Sequence, residues 1–179
     1  MNQEDTKNKL KKAISEAFSR LKDEDGELFA CPIVKHECNS RKLHEVSINH
    51  KLANHLEIQI LQILNGDGKE YSVDIEFNRE SVDDKMLKVD AKEELVRPDI
   101  IIHNRKTGEE KKNFLVVECK KAGGAKSKIK HDEKKLYAFL RDERYQYEFA
   151  LQVIYEKGQI RGTLFFKNGQ GISEENIEI

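Results

Sequence analysis

The spacing of apolar residues along the first third of the chain predicts two amphipathic helices. Over residues 4–21 and again over residues 41–64, apolar residues recur every three or four positions, which is the repeat of one buried helix face. The stripe of the first helix consists of Leu10, Ile14, Phe18 and Leu21, and that of the second consists of Ile48, Leu52, Leu56, Ile60 and Ile63. Asn39 or Ser40 is suited to cap the second helix, and residues 65–68 supply the turn that follows it.

Two kinds of strand follow these helices. From Tyr71 to Phe77, apolar and polar residues alternate, which is the period of a strand with one buried face. Residues 97–103 and 114–120 instead carry nearly continuous aliphatic runs, which are typical of central strands covered on both sides. The short polar connection 104–113 joins them and predicts an antiparallel hairpin. The charged stretch 80–94 predicts an exposed loop or a short helix.

The last third of the chain predicts one more helix and a second hairpin. A lysine-rich connection leads into the helix, which Ser127 is suited to cap and which we expect to end near Arg144. Two strands, 147–155 and 160–166, form the hairpin, and residues 176–179 add a short edge strand.

The order of these elements predicts the fold class. Two helices, three strands, a helix and two strands indicate an α/β fold in which a mixed sheet lies between helical layers. No internal repeat, low-complexity segment or linker divides the chain. We therefore expect a single domain over residues 1–179, with a helical extension at residues 1–40.

Composition adds the expected setting. Of the 179 residues, 37% are hydrophobic and 36% are charged. No apolar run approaches the roughly 18 residues of a membrane span, and the polar N-terminus does not resemble a signal peptide, so no membrane partner is expected. The three cysteines are an odd number and do not indicate a disulfide framework, which favours a reducing cytoplasm.

The distribution of charge says more than its sum. The net charge is −1, yet residues 119–135 hold seven lysines against Asp132 and Glu133, a local balance of 7 − 2 = +5. Such a block is suited to contact phosphates. From charge alone, a solvated loop and helix face explain it about equally well.

Charged residues stand at the ends of the two aliphatic strands. Because side chains alternate along a strand, Glu118 and Lys120 share one face of the second strand. Antiparallel pairing brings Asp99, at the mouth of the first strand, opposite the region of Glu118. Two carboxylates and an amine therefore meet where unpaired buried charge is costly. Such a group of oxygen ligands suits a hard cation such as Mg²⁺.

The spacing of these residues resembles a known signature. Pro98-Asp99, eighteen intervening residues and then Glu118-Cys119-Lys120 look like the PD-(D/E)xK motif of the restriction-endonuclease-like superfamily. The resemblance implies that Asp99 and Glu118 ligate Mg²⁺, for which Mn²⁺ can substitute, and that Cys119 adds its backbone carbonyl. It also implies that Lys120 orients or activates the attacking water.

The surrounding elements extend the resemblance. Residues 41–156 follow the order α-β-β-β-α-β of the family's core. Many members add a glutamate from the first core helix, and Glu45, near the open end of that helix, is the candidate for this further metal ligand. Asp74 and Glu76, on the polar face of the preceding strand, rank below it.

Four other residues are candidates for the site. Gln152, on the last core strand, lies where related nucleases place a polar active-site residue, although a satisfied amide in the sheet explains it at least as well. On this fold the lysines that follow the second aliphatic strand line the rim of the cleft. The candidates for nucleic-acid contact are Lys121, Lys126 and Lys128.

Together these residues lead to an expected function. The resemblance implies an Mg²⁺-dependent endonuclease that hydrolyses phosphodiester bonds, with DNA as the expected substrate and RNA left open, acting as a homodimer or within a larger complex. A second interpretation, from a different class, is a catalytically inactive nuclease-fold module that binds nucleic acid or protein. The intact set of Asp99, Glu118 and Lys120 favours the first, and the net charge of −1 favours the second.

Overall fold

The computed structural model describes residues 2–28, 45–64, 70–80, 83–106, 108–122, 126–156, 158–177 and 179. The α-helices in these ranges are α1 (Gln3–Asp25), α2 (Glu45–Leu64) and α3 (Lys126–Arg141). The strands up to residue 103 are β1 (Ser72–Ile75), β2 (Arg79–Glu80), β3 (Asp83–Asp84), β4 (Met86–Val89), β5 (Lys92–Leu95) and β6 (Ile100–His103). The remaining strands are β7 (Asn113–Lys121), β8 (Phe149–Glu156), β9 (Gln159–Asn168) and β10 (Gly171–Ile177).

Six of these strands form one mixed sheet in the order β1-β6-β7-β8-β9-β10. Neighbouring strands are antiparallel except β7 and β8, which are parallel. A parallel pair needs a crossover, and α3 supplies it. The predicted hairpins, β6–β7 and β8–β9, are confirmed, as is an α/β fold with a mixed sheet.

The alternation of side chains along β7 divides the core into two layers. Leu115 and Val117 pack with α1 and α2 on one face of the sheet. Val116 packs with Leu136 and Phe139 of α3 on the other face. Both faces of β7 are thus covered by helices, as its continuous aliphatic run predicts.

The first helix is longer than its apolar stripe indicates. Predicted over residues 4–21, it runs from Gln3 to Asp25, and the Asn2 side chain caps it by accepting the Asp5 N–H at 2.8 Å. It packs closely on β9, because a β-carbon on Gly162 would lie 2.7 Å from a ring carbon of Phe18. A glycine at this position therefore permits the close approach of the helix to the sheet.

The prediction for residues 80–94 is wrong. The described residues of this stretch belong to two antiparallel ribbons, β2–β3 and β4–β5, and not to an exposed loop or a helix. Leu87 and Val89 are buried against α3, and positive φ angles of 47° at Asp90 and 66° at Ala91 make the tight turn between β4 and β5. The ribbon buries so few apolar residues among its charges that the period of two is hard to recognise.

Several boundaries also differ from the predictions. The third helix begins at Lys126, one residue before its expected cap, and ends at Arg141, because the chain turns at Asp142, whose carboxylate binds Arg144. The last strand spans Gly171–Ile177, not residues 176–179. Ile75 is 37% exposed although the alternation predicts it buried, since it ends an edge strand.

Some predictions fall on other parts of the chain. The expected cap of α2 at Asn39 or Ser40 and the turn at residues 65–68 lie outside the described residues. Among the helices that the structure describes, none is long and apolar enough to cross a membrane.

Candidate functional site

The register of the β6–β7 hairpin brings Asp99 next to Glu118. Ile100 pairs with Val117, so the residue before Ile100 faces the residue after Val117. The Asp99 carboxylate accepts the backbone N–H of Cys119 through Oδ2 at 2.7 Å. This bond holds the Asp99 side chain against the end of β7.

Glu118 is paired with a lysine from the crossover helix. The side chain of Glu118 points to the α3 face of the sheet, and the residue is only 2% exposed. Its Oε1 accepts a hydrogen bond from Lys135 Nζ at 2.8 Å. An acid that the alternation of β7 places on this face therefore meets an ammonium group from α3.

Asp132 links this pair to Lys120. Lys135 Nζ lies 3.1 Å from Asp132 Oδ1, and Lys120 Nζ lies 3.3 Å from Asp132 Oδ2. The second contact does not have the alignment of a hydrogen bond, so Oδ2 of Asp132 is buried without a hydrogen-bond partner. Acids and amines therefore alternate along the series Glu118, Lys135, Asp132 and Lys120.

A fourth acid reaches the end of β7 from the opposite face of the sheet. Glu45 is the first residue of α2, and its Oε1 accepts the backbone N–H of Lys121 at 2.8 Å. The position of Glu45 at the helix N-terminus suits a carboxylate. We refer to Glu45, Asp99, Glu118, Lys120, Asp132 and Lys135 together as the charge cluster.

The charge cluster holds more negative charge than its own amines balance. With every group ionised, its four carboxylates and two ammonium groups sum to 2 − 4 = −2. Burial, opposed by Lys135 and reinforced by the charge of Asp99, raises the pKa of Glu118 to about 8. Burial also raises the pKa of Asp99, although the Cys119 N–H opposes this shift.

Lys120 keeps its proton in this environment. Burial lowers the pKa of Lys120, but attraction to Asp132 and Asp99 outweighs burial and leaves the pKa above its ordinary value. The side chain is 26% exposed and borders a cavity of about 370 Å³. The other residues that line this cavity are Ser127, Lys128, His131 and Asp132.

The three lysines predicted to contact nucleic acid are placed differently. Lys128 is exposed in the first turn of α3 and lines the cavity beside Lys120. Lys126 is exposed at the start of the same helix. Lys121 is half-buried at the end of β7, where its backbone N–H binds Glu45. The structure thus brings Lys128 to the cavity, whereas neither Lys121 nor Lys126 lines it.

Gln152 is a neighbour of the charge cluster with its side chain already engaged. It lies opposite Glu118 in the parallel β7–β8 pair. Its Nε2 donates to the backbone carbonyl of Ile129 at 2.9 Å. This contact ties β8 to α3 and favours the interpretation of a satisfied amide in the sheet.

The thiol of Cys119 belongs to the core. The side chain is 1% exposed and packs with the residues under α1 and α2. Burial raises the pKa of the thiol, so it stays protonated. Any part of this residue in a metal site is therefore limited to its backbone.

The sequence patterns did not single out Asp132 and Lys135 as members of the site, although a signal exists. Asp132 precedes Leu136 by four positions and Lys135 precedes Phe139 by four, which places both on the buried face of α3. Charged residues at such positions indicate buried partners. Within the lysine-rich block they were indistinguishable from the solvated lysines around them.

The carboxylates of the charge cluster are held by donors of the protein itself. The Cys119 N–H binds Asp99, the Lys121 N–H binds Glu45 and the Lys135 ammonium binds Glu118. Within the described ranges, no three His, Cys, Asp or Glu side chains form a group ready to hold a metal ion. A cation at this place would have to compete with these donors.

The chain matches no protein-family model, no curated protein and no solved structure. Its function therefore has to be inferred from the geometry and the charge of the cluster.

Proposed function

We propose that the chain is a divalent-cation-dependent nuclease with a site of the PD-(D/E)xK type. The observation that carries the proposal is the meeting of Asp99, Glu118 and Lys120 at one end of the β6–β7 pair, in a cluster with a formal charge of −2. A buried acid whose pKa is strongly raised, as that of Glu118 is, is typical of functional sites.

The order of elements supports a restriction-endonuclease-like core. Along the chain, α2, β1, β6, β7, α3 and β8 follow the order α-β-β-β-α-β, with the two small ribbons inserted between β1 and β6. In space, β1, β6, β7 and β8 are consecutive strands of the sheet. The candidate residues lie where the two central strands of this core end.

The oxygen ligands that the charge cluster offers fit a hard divalent cation in type and in charge. Glu45, Asp99 and Glu118 would hold it through carboxylate oxygens, the ligands that Mg²⁺ prefers, and Cys119 would add its backbone carbonyl. A charge of +2 would balance the formal −2 of the cluster. Bound there, Mg²⁺ or Mn²⁺ supplies a Lewis acid and makes a bound water more acidic.

The side chains around the cavity have separate roles in this proposal. Lys120, as an ammonium at the cavity wall, orients the attacking water and offsets negative charge on the phosphate. Lys128 and the N-terminus of α3 attract the phosphate backbone, because both present positive charge to the cavity. Lys121 and Lys126 add positive charge from outside the cavity. DNA is the proposed substrate.

One observation favours a second candidate function. Lys135 already pairs with Glu118, and Asp99 and Glu45 already accept backbone N–H groups. A protein that binds nucleic acid without cutting it could keep the cluster in this self-satisfied form. The alternative is therefore an inactive nuclease-fold module that binds nucleic acid or protein.

Cleavage assays separate the two functions. The purified chain would be incubated with supercoiled plasmid, linear duplex, single-stranded DNA and single-stranded RNA, in millimolar Mg²⁺ or Mn²⁺ and in EDTA. We expect cleavage of DNA only with the metal. Lys120→Ala should lower the rate at least about a hundredfold, the effect of losing one preorganised charged donor, with unchanged circular dichroism.

Lys167→Ala is the matched control, because Lys167 is an exposed lysine on β9, two strands away from β7 in the sheet. It should cut at the wild-type rate. A Lys120→Ala protein as active as the wild type would contradict the proposed site. Retention of nucleic acid without cleavage of any substrate would favour the binding module.

A further inference from the structure

We propose that Lys135 is the resident counter-ion of Glu118 and that it leaves Glu118 for Asp132 when a divalent cation binds. This inference rests on the proposed function and adds a residue that controls how tightly the cation is held. Lys135 is then a positioning residue, because it acts on the cation through Glu118.

The first step concerns the protein without a cation. Glu118 is 2% exposed, and a buried carboxylate without a partner is costly. Lys135 Nζ meets its Oε1 at 2.8 Å, from a side chain that is itself only 14% exposed. The ammonium thus stabilises the site in the absence of metal.

The second step concerns the place to which Lys135 can move. Asp132 lies one turn earlier on α3, and its Oδ1 is already 3.1 Å from Lys135 Nζ. The other oxygen, Oδ2, is buried and accepts no well-aligned hydrogen bond, and it lies 3.3 Å from Lys120 Nζ. Because Lys135 already contacts both carboxylates, it can keep Asp132 Oδ1 as its partner when it leaves Glu118, and this move needs only a rotation of the lysine side chain.

The third step concerns exclusion. A cation bound to the Glu118 carboxylate would stand within a few ångströms of an ammonium hydrogen-bonded to the same carboxylate. Like charges so close together repel strongly where little water screens them. The Glu118–Lys135 bond and a bound cation therefore oppose each other, and Lys135 weakens cation binding by the free energy of the bond that is lost.

Calorimetric titration with Mn²⁺ tests the inference on four proteins. These are the wild type, Lys135→Met, Lys135→Arg and Lys134→Met. We expect Lys135→Met to bind Mn²⁺ at least about tenfold more tightly than the wild type. One neighbouring charge changes the protonation equilibrium of a carboxyl group by about tenfold or more, and we expect an effect of at least this size on cation binding. Lys135→Arg keeps the charge and should bind like the wild type.

Lys134→Met is the matched control for loss of one positive charge from the same helix. Lys134 is 43% exposed and pairs with Asp90 on the outer side of α3. Its removal should leave Mn²⁺ affinity within about twofold of the wild type, since exposed charges are screened. Thermal unfolding in EDTA gives a readout that is independent of metal, and Lys135→Met should melt at a lower temperature than the wild type.

A double-mutant cycle tests the role of Asp132. Asp132→Asn removes the second partner of Lys135, so the ammonium stays on Glu118 and Mn²⁺ affinity should fall several-fold. In the Lys135→Met background the same change should have little effect. An equal effect in both backgrounds would mean that Asp132 acts by its own charge, which would overturn its role as the second partner.

The outcomes separate this inference from the proposed function. Mn²⁺ binding by the wild type with equal or weaker binding by Lys135→Met would overturn the inference and leave the proposed function standing. Absence of binding in every variant would overturn both. Should Lys135→Met fail to fold, Lys135→Ala replaces it in the cycle, and an unchanged affinity in Asp132→Asn would overturn the inference.

Discussion

Two clusters on the same sheet each contain a poorly exposed acid, and the pKa of that acid is shifted in opposite directions. Asp74 of β1 accepts Arg105 Nε through Oδ2 at 2.8 Å, and the same oxygen lies 2.8 Å from His103 Nε2. Burial would raise the pKa of Asp74, but these hydrogen bonds outweigh burial and lower it. In the charge cluster, burial wins and the pKa of Glu118 rises to about 8.

The difference follows from the number of partners for each acid. Asp74 has a guanidinium and an imidazole for one carboxylate, so its charge is compensated within the fold. The charge cluster has four acids for two amines, so its carboxylates are not all compensated by ammonium groups within the cluster. A compensated acid is typical of a structural ion pair, whereas a buried acid with a raised pKa is a candidate for a binding or catalytic site.

The largest effect that distinguishes the two clusters is expected in cation affinity. Asp99→Asn and Glu118→Gln should each weaken Mn²⁺ binding by at least about a hundredfold. Loss of a residue that only supports a metal ligand already costs up to about a hundredfold in affinity, and these two residues are the proposed ligands themselves. Asp74→Asn removes a comparable charge from the same sheet and should leave the affinity unchanged. Calorimetric titration measures all three, and equal weakening by Asp74→Asn would contradict the assignment.

A smaller effect is expected in how stability depends on pH without metal. The pKa of Glu118 rises from an ordinary 4.5 to about 8, so between these values the folded state binds more protons than the unfolded state. Stability therefore falls as pH rises through this range. The pKa of Asp74 is lowered from 3.8, so its stabilisation is present at higher pH and is lost on acidification.

Two variants check these opposite signs. In urea unfolding with EDTA, Glu118→Gln should flatten the decline in stability between about pH 5 and pH 8. Asp74→Asn should lower the free energy of unfolding at pH 7 by about 1–2 kcal/mol, a figure discounted because Arg105 is exposed. It should also flatten the loss of stability in acid. Identical pH profiles for the two variants would contradict the comparison.

The smallest effect is expected at Gln152, which borders the charge cluster and yet is satisfied like Asp74. Gln152→Met removes the hydrogen bond to the Ile129 carbonyl at similar volume. It should cost about 1 kcal/mol of stability and leave Mn²⁺ affinity unchanged, as measured by urea unfolding and by calorimetry. A large fall in affinity would instead make Gln152 part of the cation site.

Local patterns in the sequence determined much of this protein. The apolar stripes located α1 and α2, and the aliphatic runs identified β6 and β7 as central strands. The alternation along β7 put Glu118 and Lys120 on one face, and the short connection to β6 brought Asp99 beside them. These features depend on the periods of helix and strand, and those periods can be recognised from residues that are close together in the sequence.

The tertiary structure decided which charges meet. Lys135 and Asp132 reach Glu118 and Lys120 because α3 crosses over the sheet between β7 and β8. Asp74 finds Arg105 and His103 because β1 pairs with β6. The ribbon β4–β5 was recognised only in the tertiary structure, where its apolar residues pack on α3. Ion pairing and burial between distant segments depend on the arrangement of the whole chain, and they cannot be predicted from the local periodicity of the sequence.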